Sequence, residues 1–199
     1  MLLDIVILPP QKLRQEIGKN IRIAVGSYPH VFLVDNKKLI PHLSLWHVNT
    51  SRDRIGDIEK ESKQIVRNQK PIKIDSDNFR YLEERKNNIE FTVKENRALA
   101  SLREKVFKKV YPYKTGAMPP FFGKWKPEKM EQVRKYGRPP EFHPHFTMGW
   151  LKHEEHSPDV VKRMKGVKFS FLANEIYICE VDEWWQVTKI IKKIKFAQK

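Results

Sequence analysis

Five residues, Pro41-His42-Leu43-Ser44-Leu45, return about a hundred positions later as Pro144-His145-Phe146-Thr147-Met148. Each copy opens a run, Leu43 to Val48 and Phe146 to Leu151, that reads as a β-strand. Successive side chains of a strand point to opposite faces, so His and the hydroxyl residue two positions on share one face and the apolar residues take the other. Such a strand packs on one side and leaves an imidazole and a hydroxyl free on the other. With seven histidines in the chain, about one His-x-Ser/Thr match is expected by chance. The weight therefore rests on the pair, in which each His follows a proline and each copy alternates in the same way.

Around these runs the chain alternates strand and helix signals. Leu2 to Leu8 reads as a buried strand, and Pro10 then suits the start of a helix with Leu13 and Ile17 on one face, ending near Asn20. Val31 to Val34 and Leu43 to Val48 flank the polar turn Asp35-Asn36-Lys37, which predicts an antiparallel pair. A helix carrying Ile55, Ile58, Ile65 and Val66 follows candidate caps at 49–53, and an extended segment covers Ile72 to Ile74. Ile89 to Val93 alternates like a half-buried strand before a helix with Leu99, Leu102, Val106 and Val110 inside. Ser157-Pro158-Asp159 starts a helix that Gly166 ends; Phe169 to Leu172 and Ile176 to Val181 read as strands. The stretch from Trp184 toward Phe196 reads as a last strand, although Ile190, Ile191 and Ile194 also satisfy helical spacing.

At the two motifs the chain resembles the 2H phosphoesterase superfamily, named for two His-x-Thr/Ser-x motifs and including the RNA 2′,3′-cyclic phosphodiesterases once called 2′-5′ RNA ligases. The Leu2 to Pro10 opening and the Phe171 to Phe196 close are similar to the family's first strand and terminal strand pair. The resemblance implies an α+β fold, with two pseudo-symmetric lobes of antiparallel sheet and helices packed outside around a central active-site cleft. It also implies that residues 1–199 form a single two-lobed domain with an insertion at about 111–144. His42 and His145 would be the catalytic acid and base, and Ser44 and Thr147 would bind the substrate phosphate, with no metal and no cofactor. For a 2′,3′-cyclic phosphate, His42 would protonate the leaving oxygen and His145 activate water. Relatives that cleave 2′-5′ oligonucleotides or trim RNA 3′ ends are alternative readings, as is a non-catalytic RNA-binding protein.

The remaining histidines and the charge refine this picture. His47 has the opposite strand parity to His42 and is expected to face away. His143 shares the parity of His145, and His-x-His is also a metal-ligand spacing, but Glu141 is the one acidic residue close by. Lys plus Arg number 39 against 24 Asp plus Glu, a formal charge of +15 that favours RNA or a nucleotide as partner. The 111–144 insertion interleaves basic and aromatic residues, among which Tyr113, Lys124, Trp125 and Arg138 are candidates for gripping single-stranded nucleic acid. Of Trp184 and Trp185, adjacent strand positions allow at most one to line the cleft. The lone Cys179 reads as a buried apolar residue, and the early Asp4 and Pro9-Pro10 argue against a signal peptide or membrane span. A cytoplasmic monomer without an obligate protein partner is expected.

Overall fold

The computed structural model describes residues 1–118, 127–137 and 141–197. Among the described residues nine strands form two antiparallel sheets: β1 (Leu2–Ile7), β2 (His30–Leu33), β3 (Leu43–Asn49), β4 (Ile72–Leu82), β5 (Arg85–Val93), β6 (His145–Leu151), β7 (Ser170–Ala173), β8 (Glu175–Val181) and β9 (Val187–Lys195). The first sheet has the order β3-β1-β8-β9 and the second the order β2-β6-β5-β4-β7. Five α-helices of the described residues accompany them: α1 (Gln11–Val25), α2 (Ile55–Val66), α3 (Arg97–Val110), α4 (Pro127–Tyr136) and α5 (Ser157–Arg163). The fold is α+β with two sheet lobes. α2 and α3 pack on each other and reach β9 and β3, whereas α5 lies on β4 and β5 with α1 against it. One apolar cluster, with Trp46, Phe91 and Phe146 among its largest fully buried members, runs through both sheets.

Local chemistry accounts for the helices. Asn96 caps α3 by accepting the amides of Ala98 at 2.9 Å and Leu99 at 3.3 Å, satisfying two of the orphan donors of the first turn. Its inner face is the expected set Leu99, Leu102, Val106 and Val110. α1 runs five residues past Asn20, because Ile21, Ala24 and Val25 continue the buried stripe of Ile17. The helix stops at Gly26, which takes φ 57°, where glycine carries no Cβ penalty.

One expected connection differs in the structure. β2 and β3 do not pair: β2 joins β6 in the second sheet and β3 joins β1 in the first. The Asp35 turn is real, with Asn36 at φ 63° and its amide bonded to the Leu39 carbonyl, but it sits inside a nine-residue crossing between the sheets. Val34 donates to Met148 on one side of that crossing and Ile40 to Val187 on the other. The two strands thus bury their backbones against nonlocal partners, which no local turn signal reveals. The closing stretch is a strand and not a helix, and it starts at Val187 because residues 182–186 form a turn. Among the described residues no helix is long and apolar enough to cross a membrane.

Candidate active site between the two sheets

Each motif sits at the start of its strand, next to a strand that supplies a buried carboxylate. β3 pairs with β1, which carries Asp4, and β6 pairs with β5, which carries Glu90. In both motif strands the register slips at the same place. Ser44 pairs with Val6 and Trp46 with Ile5, which leaves Leu45 as an extra residue; Thr147 pairs with Glu90 and Gly149 with Ile89, which leaves Met148 extra. These are β-bulges, and each reverses the in-out parity of everything after it. Leu45 and Trp46 are consequently both buried, as are Met148 and Gly149.

The bulge corrects the reading of His47. Without it His47 would face away from His42; with it His47 turns to the same side as Ser44 and lines the pocket. Trp150 holds the matching place in the second copy. One pocket, enclosing about 900 Å³ of empty space partly open to solvent, is lined by His42, Ser44, His145 and Thr147 together. The structure thereby brings the four motif residues to one cleft.

The two imidazoles are held alike. His42 Nδ1 lies 2.8 Å from the Ile40 carbonyl and His145 Nδ1 lies 2.7 Å from the His143 carbonyl, each two residues upstream. A carbonyl oxygen can only accept, so Nδ1 carries the proton and Nε2 is the titrating atom. His42 Nε2 lies 3.9 Å from Asp4 Oδ2, and His145 Nε2 lies 3.8 Å from Glu90 Oε2. Two lobes have built one device twice.

Comparison with known proteins follows this geometry. No protein-family profile matches the chain, and neither does the sequence of any curated protein. Solved structures do. TT0787 of Thermus thermophilus superposes with a TM-score of 0.64 at 15% identity, covering 98% of each chain. E. coli LigT, in its complex with NADP+, superposes with a TM-score of 0.57 at 15% identity, again over 98% of each chain. A further structure, described as a phosphoesterase, gives 0.58 at 16% identity over 99% of each chain.

The chain has the LigT fold. The likeness to these solved structures spans the whole architecture. Within this LigT fold the two halves of the cleft are electrostatically unequal. His42 is 4% exposed, and its pKa is lowered from 6.5 by burial, against which the charge of Asp4 acts. Positive charge on His47 or on His145 lowers it further. The His145 side chain is 40% exposed. Glu90 receives two hydrogen bonds from Arg80, at 3.1 and 3.0 Å. Asp4 instead accepts the Ser44 hydroxyl at 2.6 Å and has His47 Nε2 at 3.1 Å, outside hydrogen-bond geometry.

Asp4 and Glu90 are site residues that the sequence does not single out. Asp4 gives a signal, being the lone charge in an otherwise apolar strand, but which motif it serves depends on a partner strand about forty residues away. Arg85 and Arg103 also line the pocket, Arg103 lying 4.6 Å from the Phe142 ring centre. Of the candidates in the insertion, Tyr113 packs against the core, its carbonyl accepting Thr50 Oγ1, and does not line the pocket. Lys124, Trp125 and Arg138 lie outside the described residues. His143 meets Glu141 at 3.0 Å; no group of three potential metal ligands occurs among the described residues. Both tryptophans turn inward: Trp185 lines the pocket, and Trp184 packs on Phe32 and Trp150. One of the two thus lines the cleft, as expected, although both belong to a turn and not to a strand.

Proposed function

We propose that the chain is a metal-independent phosphoesterase that opens 2′,3′-cyclic phosphates on RNA ends or nucleotides by two-histidine acid/base catalysis. The observation that carries this reading is the matched pair of imidazoles over one pocket, each with Nδ1 fixed by its own backbone and Nε2 left to exchange a proton. Displacement at phosphorus needs a base for the attacking oxygen and an acid for the leaving one. Imidazole supplies either near neutral pH. E. coli LigT has been crystallised with phosphate and with 3′-AMP, ligands of the class such a cleft would hold.

Other groups of the cleft then take defined tasks. Thr147 donates to a non-bridging oxygen, and the guanidinium groups of Arg85 and Arg103 favour the anion in the same pocket. Ser44 is tied to Asp4, so it grips phosphate only when its proton turns from that carboxylate. His42 rests neutral because of burial and accepts a proton before it can deliver one to the leaving oxygen. In 2′-5′ joining a 5′-hydroxyl attacks the cyclic phosphate in place of water and the 3′ oxygen leaves, through the same two proton transfers.

Hydrolysis of a short RNA ending in a 2′,3′-cyclic phosphate, in excess chelator, tests the reading. Turnover is expected in the wild type, with losses of about 10²- to 10⁴-fold in His42→Ala and in His145→Ala. Loss of wild-type activity in chelator, restored by a divalent ion, would overturn it in favour of a metallohydrolase.

A further inference from the structure

The phosphate-facing residues occupy only part of the pocket. Three residues beyond Thr147 along β6, about 10 Å by strand rise, Trp150 faces the same space. It is flanked in register by Phe32 on β2 and Asn88 on β5. The 182–186 turn, whose Trp184 packs on Phe32 and Trp150, carries Trp185 and Gln186 into the pocket. Trp185 takes φ 60°, a left-handed conformation rare for a bulky side chain. The turn is held there by Asp182 Oδ1, which accepts the amides of Trp184 and Gln186 at 2.9 Å each. Backbone strain of this kind, at the wall of a pocket, points to a task for the side chains it aims.

The pocket wall there is made of aromatic rings and two amides, Asn88 and Gln186. Asn88 is 4% exposed and Gln186 5% exposed, and the Oδ1 of one and the Oε1 of the other have no hydrogen-bond partner among the described residues. Gln186 uses its Nε2 on the Trp184 carbonyl at 2.9 Å, which fixes the oxygen end as the unused one. Buried carbonyl oxygens left without donors are costly, and a ligand that brings N–H groups removes the cost. A flat heterocycle with N–H donors on its edge, lying among aromatic rings within a nucleotide's reach of the phosphate site, is a nucleobase.

We propose that Asn88 and Gln186 read the base attached to the cyclic phosphate and favour an amino-bearing base over uracil. Cytosine, adenine and guanine each offer at least two N–H hydrogens on one edge, enough for both oxygens. Uracil offers a single N–H between two carbonyls, which would face the amide oxygens and leave at least one unpaired. A site built to receive a donor rejects the analogue lacking it more strongly than an apolar pocket rejects a missing methylene. This inference rests on the phosphoesterase reading for its choice of substrate.

The test compares kcat/KM on the 2′,3′-cyclic phosphates of cytidine and uridine for the wild type, Asn88→Ala and Gln186→Ala, with calorimetric binding of cytidine and uridine 3′-monophosphates alongside. The wild type should favour cytidine by at least about tenfold, and each variant should bring the ratio to within about threefold of unity. That ratio is unmoved by a general loss of folded protein. Wild-type turnover with equal rates, or a cytidine preference that survives both substitutions, overturns base reading and leaves the phosphoesterase intact. Amide-dependent preference in binding without turnover supports base reading and removes the reaction. Neither turnover nor base-dependent binding overturns both.

Discussion

His42 sits where two effects oppose each other, burial disfavouring its cation and the Asp4 carboxylate favouring it, with burial the larger. Replacing Asp4 by Asn removes the favourable charge, so the pKa of His42 should fall further below the ordinary imidazole value, read from the pH titration of its ring Cε1–H signal by NMR. An unchanged or higher pKa in Asp4→Asn would show that the 3.9 Å contact carries no charge interaction. The limb of the pH–rate profile that belongs to His42 should move down with it. The same shift affects stability. A histidine whose folded pKa lies below its unfolded value binds fewer protons when folded, so stability is full above about pH 6.5 and is lost as pH falls through the folded pKa. Thermal denaturation between pH 7 and about 5 should show that loss, and His42→Ala should lessen it. At this scale the motif residues are legible because their types and spacing are local. Asp4 and Glu90 are not, since their meaning depends on which strand lies beside them.

Each motif strand works through its bulge, which takes the side chains after Leu45 and Met148 to the other face. Sequence periodicity assumes a regular strand, and for this reason it places His47 on the wrong side. α4 then secures β3 from behind. Trp46 Nε1 donates to the Tyr136 carbonyl at 2.7 Å, and Gly137, at φ 72°, ends the helix so close that an added Cβ would lie 2.0 Å from the His47 carbonyl. Gly137→Ala combines left-handed strain with overpacking against backbone, a cost of about 2–4 kcal/mol. A drop in Tm of roughly 5–12 °C is expected for a chain of this size. A variant that melts with the wild type would mean that α4 yields freely and does not brace the site. The docking of this helix depends on a glycine whose role only the neighbouring strand reveals.

The molecule is assembled across its own sequence. β1 from the start pairs with β8 near the end, and β2 and β7 leave their neighbours in sequence to close the opposite sheet. Over this frame the formal charge of +15 should act on long substrates more than on short ones. Each phosphate held by a basic group contributes a slope of about −0.7 to log affinity against log salt on a single strand. The KM for an RNA oligonucleotide ending in a cyclic phosphate should therefore rise steeply between about 50 and 200 mM salt, while that for a cyclic mononucleotide changes little. Parallel, shallow responses would restrict recognition to the terminal nucleotide. The two imidazole–hydroxyl strands and most of the helices are legible in the amino-acid order, because side-chain periodicity and end signals are set by neighbours within a turn or a strand. That β2 and β3 part company, that His47 faces the cleft, and that Asp4 and Glu90 lie against the histidines emerges with the folded chain. Pairing partners and bulges arise from contacts between residues tens of positions apart, and local pattern carries no record of them.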